Sequence, residues 1–331
     1  MSGAGIISIM RRPALVLFLL SPVYAELVSA FLSPLEFLHP LRLAITLFPY
    51  GCGALVAREF VVRRRKGFAS LVLLGLAFGL LFEGIVTRVL FNPDWGGLGP
   101  LAGYGRSHGF SWVLAVGIVH FQAMIGIVGP ILTAEALFPA RRHESWVSSP
   151  VLFLCCCIVP GWALVMGLFV PFFPPLPHAL ALASFVMALV AAAALMPAEP
   201  LAARPGQVAR PRVFGIIGAI SMVLVMVGTY MVPEWEIRPA ATVMFFSLLA
   251  IAAAEIGLLL WLSNGGTWDD RHRLALVIGW LAFFLAFGVL KDLESFSGRS
   301  LVSGVALWLL LRLGRQVTKA APSFIAAAGH S

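Results

Sequence analysis

Apolar residues run through this chain in long blocks, and charged residues gather between the blocks. Ten blocks can be marked, at 13–33, 41–62, 68–91, 110–138, 151–173, 179–196, 213–232, 240–263, 274–290 and 300–316. Most are close to the ~20 residues that an α-helix needs to cross a bilayer. They show neither the alternation of a half-buried strand nor the single stripe of a surface helix. The predicted fold is therefore all-α: a polytopic transmembrane helix bundle of ten spans. The tenth block is the weakest, because its apolar core "LVSGVALWLLL" is short and ends at Arg312.

The basic residues test this count. With Arg11 and Arg12 placed in the cytoplasm, the even-numbered loops also lie inside. Those loops hold Arg63, Arg64, Arg65 and Lys66, then Arg141 and Arg142, then Arg204, Arg210 and Arg212, then Arg271 and Arg273. Arg58 sits at the inner end of span two, and Arg312, Arg315 and Lys319 close the chain. Seventeen of the 23 Lys and Arg thus fall on one side. An excess of Lys and Arg marks cytoplasmic loops, so the pattern predicts both termini inside. One missed span would invert every later loop. The start "MRRPALVLFLLSPVYA" resembles a signal peptide ending at Ala25, but the apolar pattern continues into "ELVSAFL", as in an uncleaved first helix.

The connection 197–212, "PAEPLAARPGQVARPR", is the linker candidate. It separates a first membrane half (1–196, spans one to six) from the remaining spans (213–319), and a short tail (320–331) follows. The whole is one integrated membrane domain. If two sets of five spans are related, the odd number makes them a 5+5 inverted repeat. Glu83 and Glu255 then lie about two-thirds along the third span of each set.

Composition agrees with the pattern: 60% of the 331 residues are apolar and 11% charged. Soluble domains are ~45–50% apolar and ~25% charged. The net charge of +8 is explained by the loops and does not point to nucleic acid, because no aromatics alternate with the basic residues. The lipid bilayer is the first partner; protein partners are not legible. No Cys/His spacing suits a metal, and no motif calls for a cofactor. Adjacent cysteines point ~100° apart on a helix. Cys155, Cys156 and Cys157 therefore read as small filler on a buried helix, not as a clamp.

Carboxylates at membrane depth are costly and usually have partners. Glu26, Glu83 and Glu255 lie well inside spans. Glu83 and Arg88, five residues apart, do not share a helix face; Arg88 is close enough to the outer end to snorkel. Thr87 is placed to donate to Glu83. Glu26 and His120 fall at similar depth on spans one and four, while Gln122 points to another side of span four. The candidate site is therefore Glu26, Glu83, Arg88 and His120, with Glu255 as the mirrored carboxylate. Arg58 and Glu135 suit an interfacial ion pair, and "RRRK" and "RRHE" read as topology signals with anionic-lipid contact as an option. The outside loop 92–109 is rich in Gly, and Trp95, Tyr104, Arg106 and His108 make it a candidate lid. Pro22, Pro130 and Pro160 can kink their helices. At "IGIVGPIL" a broken helix could show carbonyls to a cavity.

The stretch "EGIVTR" resembles part of the motif of the CAAX-prenyl-protease and bacteriocin-processing intramembrane proteases. That resemblance implies that Glu83, Arg88 and, on the next span, His120 form one hydrolytic site. The chain departs from it at Gly84, where the family has a second Glu, at Val116, where it has Phe, and in lacking a later intramembrane His. "SPVYAEL", "FEGIVTRVLFNP" and "ILTAEALFP" look like segments of uncharacterised bacterial multi-pass membrane proteins. The leading functional expectation is an inner-membrane carrier of a small solute or lipid-like molecule, with proton coupling through Glu83, Glu26 or Glu255. The alternatives are an intramembrane enzyme acting on lipid or peptide, and a non-catalytic scaffold.

Overall fold

The computed structural model describes residues 13–204 and 208–320. Arg11 and Arg12, the centre of the linker and the tail beyond Ala320 lie outside the described residues. The described residues form eleven α-helices. They are α1 (Pro13–Pro22, continued by a π turn Val23–Val28), the short α2 (Pro34–Leu38), α3 (Pro40–Arg63) and α4 (Phe68–Val86). Next come α5 (Trp112–Leu137), α6 (Ser149–Gly167), α7 (Leu176–Leu195) and α8 (Pro211–Glu234). The last are α9 (Ala241–Leu262), α10 (Asp270–Glu294) and α11 (Arg299–Ala320).

Eight of these, α3 to α10, are long and apolar enough to cross a membrane. The first and tenth expected spans fall short by that measure. α1 is apolar but shorter, and the last turns of α11 carry Arg312, Arg315 and Lys319.

α5 is the centre of the bundle. Of its most apolar stretch 83% is buried, against 17% for α6, α7 and α9. α4, α1, α3, α8, α9 and α10 all contact it. An axis so enclosed must be apolar all round, which is why its sequence shows no polar face. The peripheral helices are equally apolar for the opposite reason, since lipid surrounds them. This corrects one reading of the cysteines. Cys155 is buried, but Cys156 and Cys157 are exposed on α6, whose neighbours cover only one side.

The linker follows α7, the sixth expected span, so it does not divide the chain five and five. Nor do the helix pairings repeat: α1 packs against α3, whereas the sixth-span helix α7 packs against α4.

Glycine sets the closest approaches. A Cβ on Gly75 of α4 would lie 3.1 Å from Ala123 Cα; one on Gly79 would lie 3.0 Å from Gln122 Cβ and 3.1 Å from the Val119 carbonyl oxygen. Small residues four apart allow helix backbones to meet in lipid. These two bring α4 against the middle of α5.

Four helices carry π turns, at Val23–Val28, Leu81–Val86, Gln122–Val128 and Val227–Met231. Proline contributes to the disturbance, because it has no N–H for the carbonyl four residues back. Pro22 immediately precedes the first π turn. Pro130 follows the third and leaves the Gly126 carbonyl without its helical donor. The Ser21 hydroxyl of α1 donates to that carbonyl at 2.6 Å. The break expected at "IGIVGPIL" is thus a π turn whose freed carbonyl binds a neighbouring helix.

Candidate functional site

Glu83 lies in the π turn of α4 and is 4% exposed. The Thr87 hydroxyl donates to its Oε2 at 2.9 Å, the i,i+4 contact that the spacing predicts. Its Oε1 accepts from Gln122 Nε2 in the π turn of α5. The same amide nitrogen donates to the Tyr50 hydroxyl on α3 at 2.8 Å. Tyr50 also interacts electrostatically with Glu26, in the π turn of α1. Phe78 and Phe82 flank Tyr50, with ring centroids 5.7 and 4.9 Å away. Glu26 is half-buried, whereas Tyr50, Gln122 and Glu83 are buried.

The result is a hydrogen-bonded chain, Tyr50–Gln122–Glu83–Thr87, that joins α3, α4 and α5 inside an apolar sheath, with Glu26 of α1 beside it. Neither carboxylate forms an ion pair with a cation among the described residues. Gln122 Oε1 is buried without a hydrogen-bond partner.

His120 and Arg88 are not part of this chain, which corrects the expected cluster. His120 faces the other way on α5, with Nε2 3.2 Å from Glu255 Oε2 on α9. Glu255 Oε1 accepts from the indole of Trp280 on α10 at 2.5 Å, and Ser221 of α8 is an electrostatic neighbour of the carboxylate. A second buried polar group therefore sits where α5, α8, α9 and α10 meet. The Glu83–His120 pairing implied by the protease resemblance is absent.

Arg88 does not snorkel. It is 3% exposed, and its guanidinium donates to Val170 O at 2.9 Å and Ala163 O at 2.7 Å. It lies 4.3 Å from the centre of the Phe173 ring. Val170 lies just beyond α6, where carbonyls have no helical donor, and Ala163 lies in its last turns. Its backbone, at φ 67°, occupies the left-handed region and turns the chain at the end of α4.

The loop expected as a lid is an ordered connection. A two-residue hairpin pairs β1 (Arg106–Ser107) with β2 (Phe110–Ser111). Arg106 donates to Ala102 O at 2.9 Å and Phe91 O at 2.9 Å, which ties the loop to itself and to the end of α4. Burial lowers the pKa of this guanidinium, with Asp94 opposing the shift. Tyr104 donates to Pro239 O at 2.9 Å, and Trp95 packs against the core. His108 is exposed and contacts Ser107.

At the opposite end, Arg58 and Glu135 do approach, at 3.7 Å, and with Arg58 1% exposed the pair is enclosed by protein. Arg58 donates to Glu59 Oε1 at 2.9 Å and to the Arg142 carbonyl at 2.7 Å, and its guanidinium lies 3.3 Å above the Trp146 ring. Arg142 also pairs with Asp270. Lys66 donates to Met196 O at 2.9 Å. The loops after α3, α5, α7 and α9 are therefore gathered at one basic end. Among the described residues no group of three or more His, Cys, Asp or Glu could hold a metal.

The fold and this polar interior define a multi-pass α-helical membrane protein. Residues 15–328 match a family described as an uncharacterized membrane protein family, and the chain belongs to it. No curated protein and no solved structure matches the chain.

Proposed function

We propose that this protein is a proton-linked carrier of a small solute or lipid-like molecule, seated in the bacterial inner membrane with its basic end in the cytoplasm. Glu83 is the group that takes up and releases the proton. The observation that carries this reading is that Glu83 is held by neutral donors alone, from its own helix and from α5, and is joined through Gln122 to Tyr50, which interacts with a half-buried second carboxyl, Glu26.

A carboxyl with neutral partners keeps its place in either protonation state. As an anion it accepts from Thr87 and from the Gln122 amide nitrogen. As an acid it can donate, and the amide oxygen of Gln122, which has no other partner, is the matching acceptor once the amide turns over. Protonation therefore reverses a hydrogen bond between α4 and α5. It does so where π turns interrupt the regular ladder of both helices, a location typical of functional sites. The basic end faces the cytoplasm on this reading because Lys and Arg collect there.

Two measurements test it. Infrared difference spectra of the purified protein between about pH 4 and pH 9 should show a carboxylic C=O band that Glu83→Gln removes. In liposomes loaded with a pH dye and a cell metabolite extract, the native protein should collapse an imposed pH gradient and Glu83→Gln should not. Equal collapse by both proteins would sink the proton role, and an unaltered band would remove Glu83 as the titrating group.

A further inference from the structure

The basic end holds a cavity of about 510 Å³ between α3, α4, α5 and α10. That is within the ~300–1,000 Å³ of ordinary ligand sites. Arg58, Arg65, Lys66, Arg142 and Arg273 all line it, against one carboxylate, Glu135. Asp270 is engaged by Arg142, Glu59 by Arg58 and Arg63, and Glu199 lies near Arg273. The excess charge remains positive when these are counted.

Three guanidinium groups surround Glu135 without hydrogen-bonding to it. Arg58, Arg142 and Arg273 stand 3.7, 3.8 and 3.9 Å from its oxygens, all longer than a hydrogen bond. The Nε of each is buried and has no hydrogen-bond partner. All three residues line the cavity, and three guanidinium groups along one wall suit an acceptor with several oxygens. The remaining wall is apolar, including Phe68, Leu71, Ile131 and Leu132. One part of the cavity therefore suits an anion, the other a hydrocarbon chain.

We propose that this cavity binds the phosphate headgroup of an anionic amphiphile, with its acyl or prenyl chain along α4 and α5. Basic pockets between helices at a cytoplasmic face are suited to such headgroups. The site is independent of the Glu83 chain. Glu135 is thirteen residues beyond Gln122 on α5, a rise of about 20 Å.

The test titrates the full-length protein in neutral detergent with dioctanoyl phosphatidic acid, dioctanoyl phosphatidylcholine and inorganic phosphate, and counts bound ligand by native mass spectrometry. Phosphatidic acid should bind at least ~10-fold tighter than phosphatidylcholine. Arg273→Gln should weaken it by ~10-fold or more, and Arg65→Gln by roughly 3-fold. Arg65 is exposed at the rim, so its variant tests the site without a buried charge being removed. Equal affinity for the two lipids, or undiminished phosphatidic acid binding in both variants, overturns the proposal. Inorganic phosphate binding as tightly as phosphatidic acid would overturn it in favour of a free oxyanion.

Discussion

Gln122 shows how much one side chain can decide in an apolar interior. Its amide nitrogen donates to both Tyr50 and Glu83, so it holds α3, α4 and α5 together. Gln122→Leu should strand the Glu83 oxygen. A buried polar group without a partner costs ~1–3 kcal/mol, and the purified variant should melt several degrees lower. A melting temperature equal to that of the native protein would show that the contact contributes no stability. Glu255 supplies the parallel case. Glu255→Leu leaves the Trp280 indole without its acceptor and His120 without a neighbour, and a loss of ~1–3 kcal/mol is expected there too. At this scale the sequence was partly legible. Thr87 and Glu83 are four apart on one helix, and that spacing alone predicts their bond. The sequence does not single out Gln122 as the partner, because a helix apolar on every side does not show which of its faces meets which neighbour. For the same reason it does not show which carboxylate His120, two residues away, meets.

Helices meet closely enough for these bonds only where glycine permits it. On α4, Gly79 has no room for a side chain against Gln122 and Val119. Gly79→Leu should push α4 from α5, break the Gln122–Glu83 bond, and cost ~1–3 kcal/mol by overpacking. Thermal melting measures the loss, and the carboxylic infrared band should shift with it. A variant that melts like the native protein with an unchanged band would mean that the two helices are not in close contact there.

The start of α10 offers a pH test outside the membrane interior. Asp269 caps it, accepting from the Arg271 and His272 backbone nitrogens at 3.0 and 3.3 Å. Burial raises its pKa, but hydrogen bonds from Arg271 and His272 outweigh this and hold it below the usual value. A depressed acid stabilises the fold above its unfolded value of ~3.9 and loses that contribution as pH falls below it. Asp269→Ala should cost ~1 kcal/mol near neutral pH. Its deficit against the native protein should shrink as the pH is lowered from about 6 to 3. A deficit that does not change with pH would exclude the carboxylate as its source. The cap is set within the first turn of α10. Its pairing with His272 is local, and local contacts are those a sequence displays best.

Across the whole molecule, two polar ends enclose one apolar body. Contacts gather the basic connections at one end, and the hairpin of β1 and β2 lies near Pro239 at the other. In a background with the native cysteines replaced by serine, Arg65→Cys and His143→Cys should react with an impermeant thiol reagent from the same side of sealed membranes. Gly97→Cys should react only from the opposite side. Labelling of all three from one side would overturn the arrangement. Length, hydropathy and the spacing of Lys and Arg were enough to determine a helical membrane bundle and to group its loops. Each is a one-dimensional property, because a bilayer imposes a span length and hides backbone polarity within each helix. Which buried groups meet was decided only in three dimensions. Lipid and protein interior select the same apolar residues, so the pattern could not distinguish the enclosed α5 from the lipid-facing α6, α7 and α9. Without that distinction, neither the polar chain around Glu83 nor the cationic cavity around Glu135 could be assembled from the sequence.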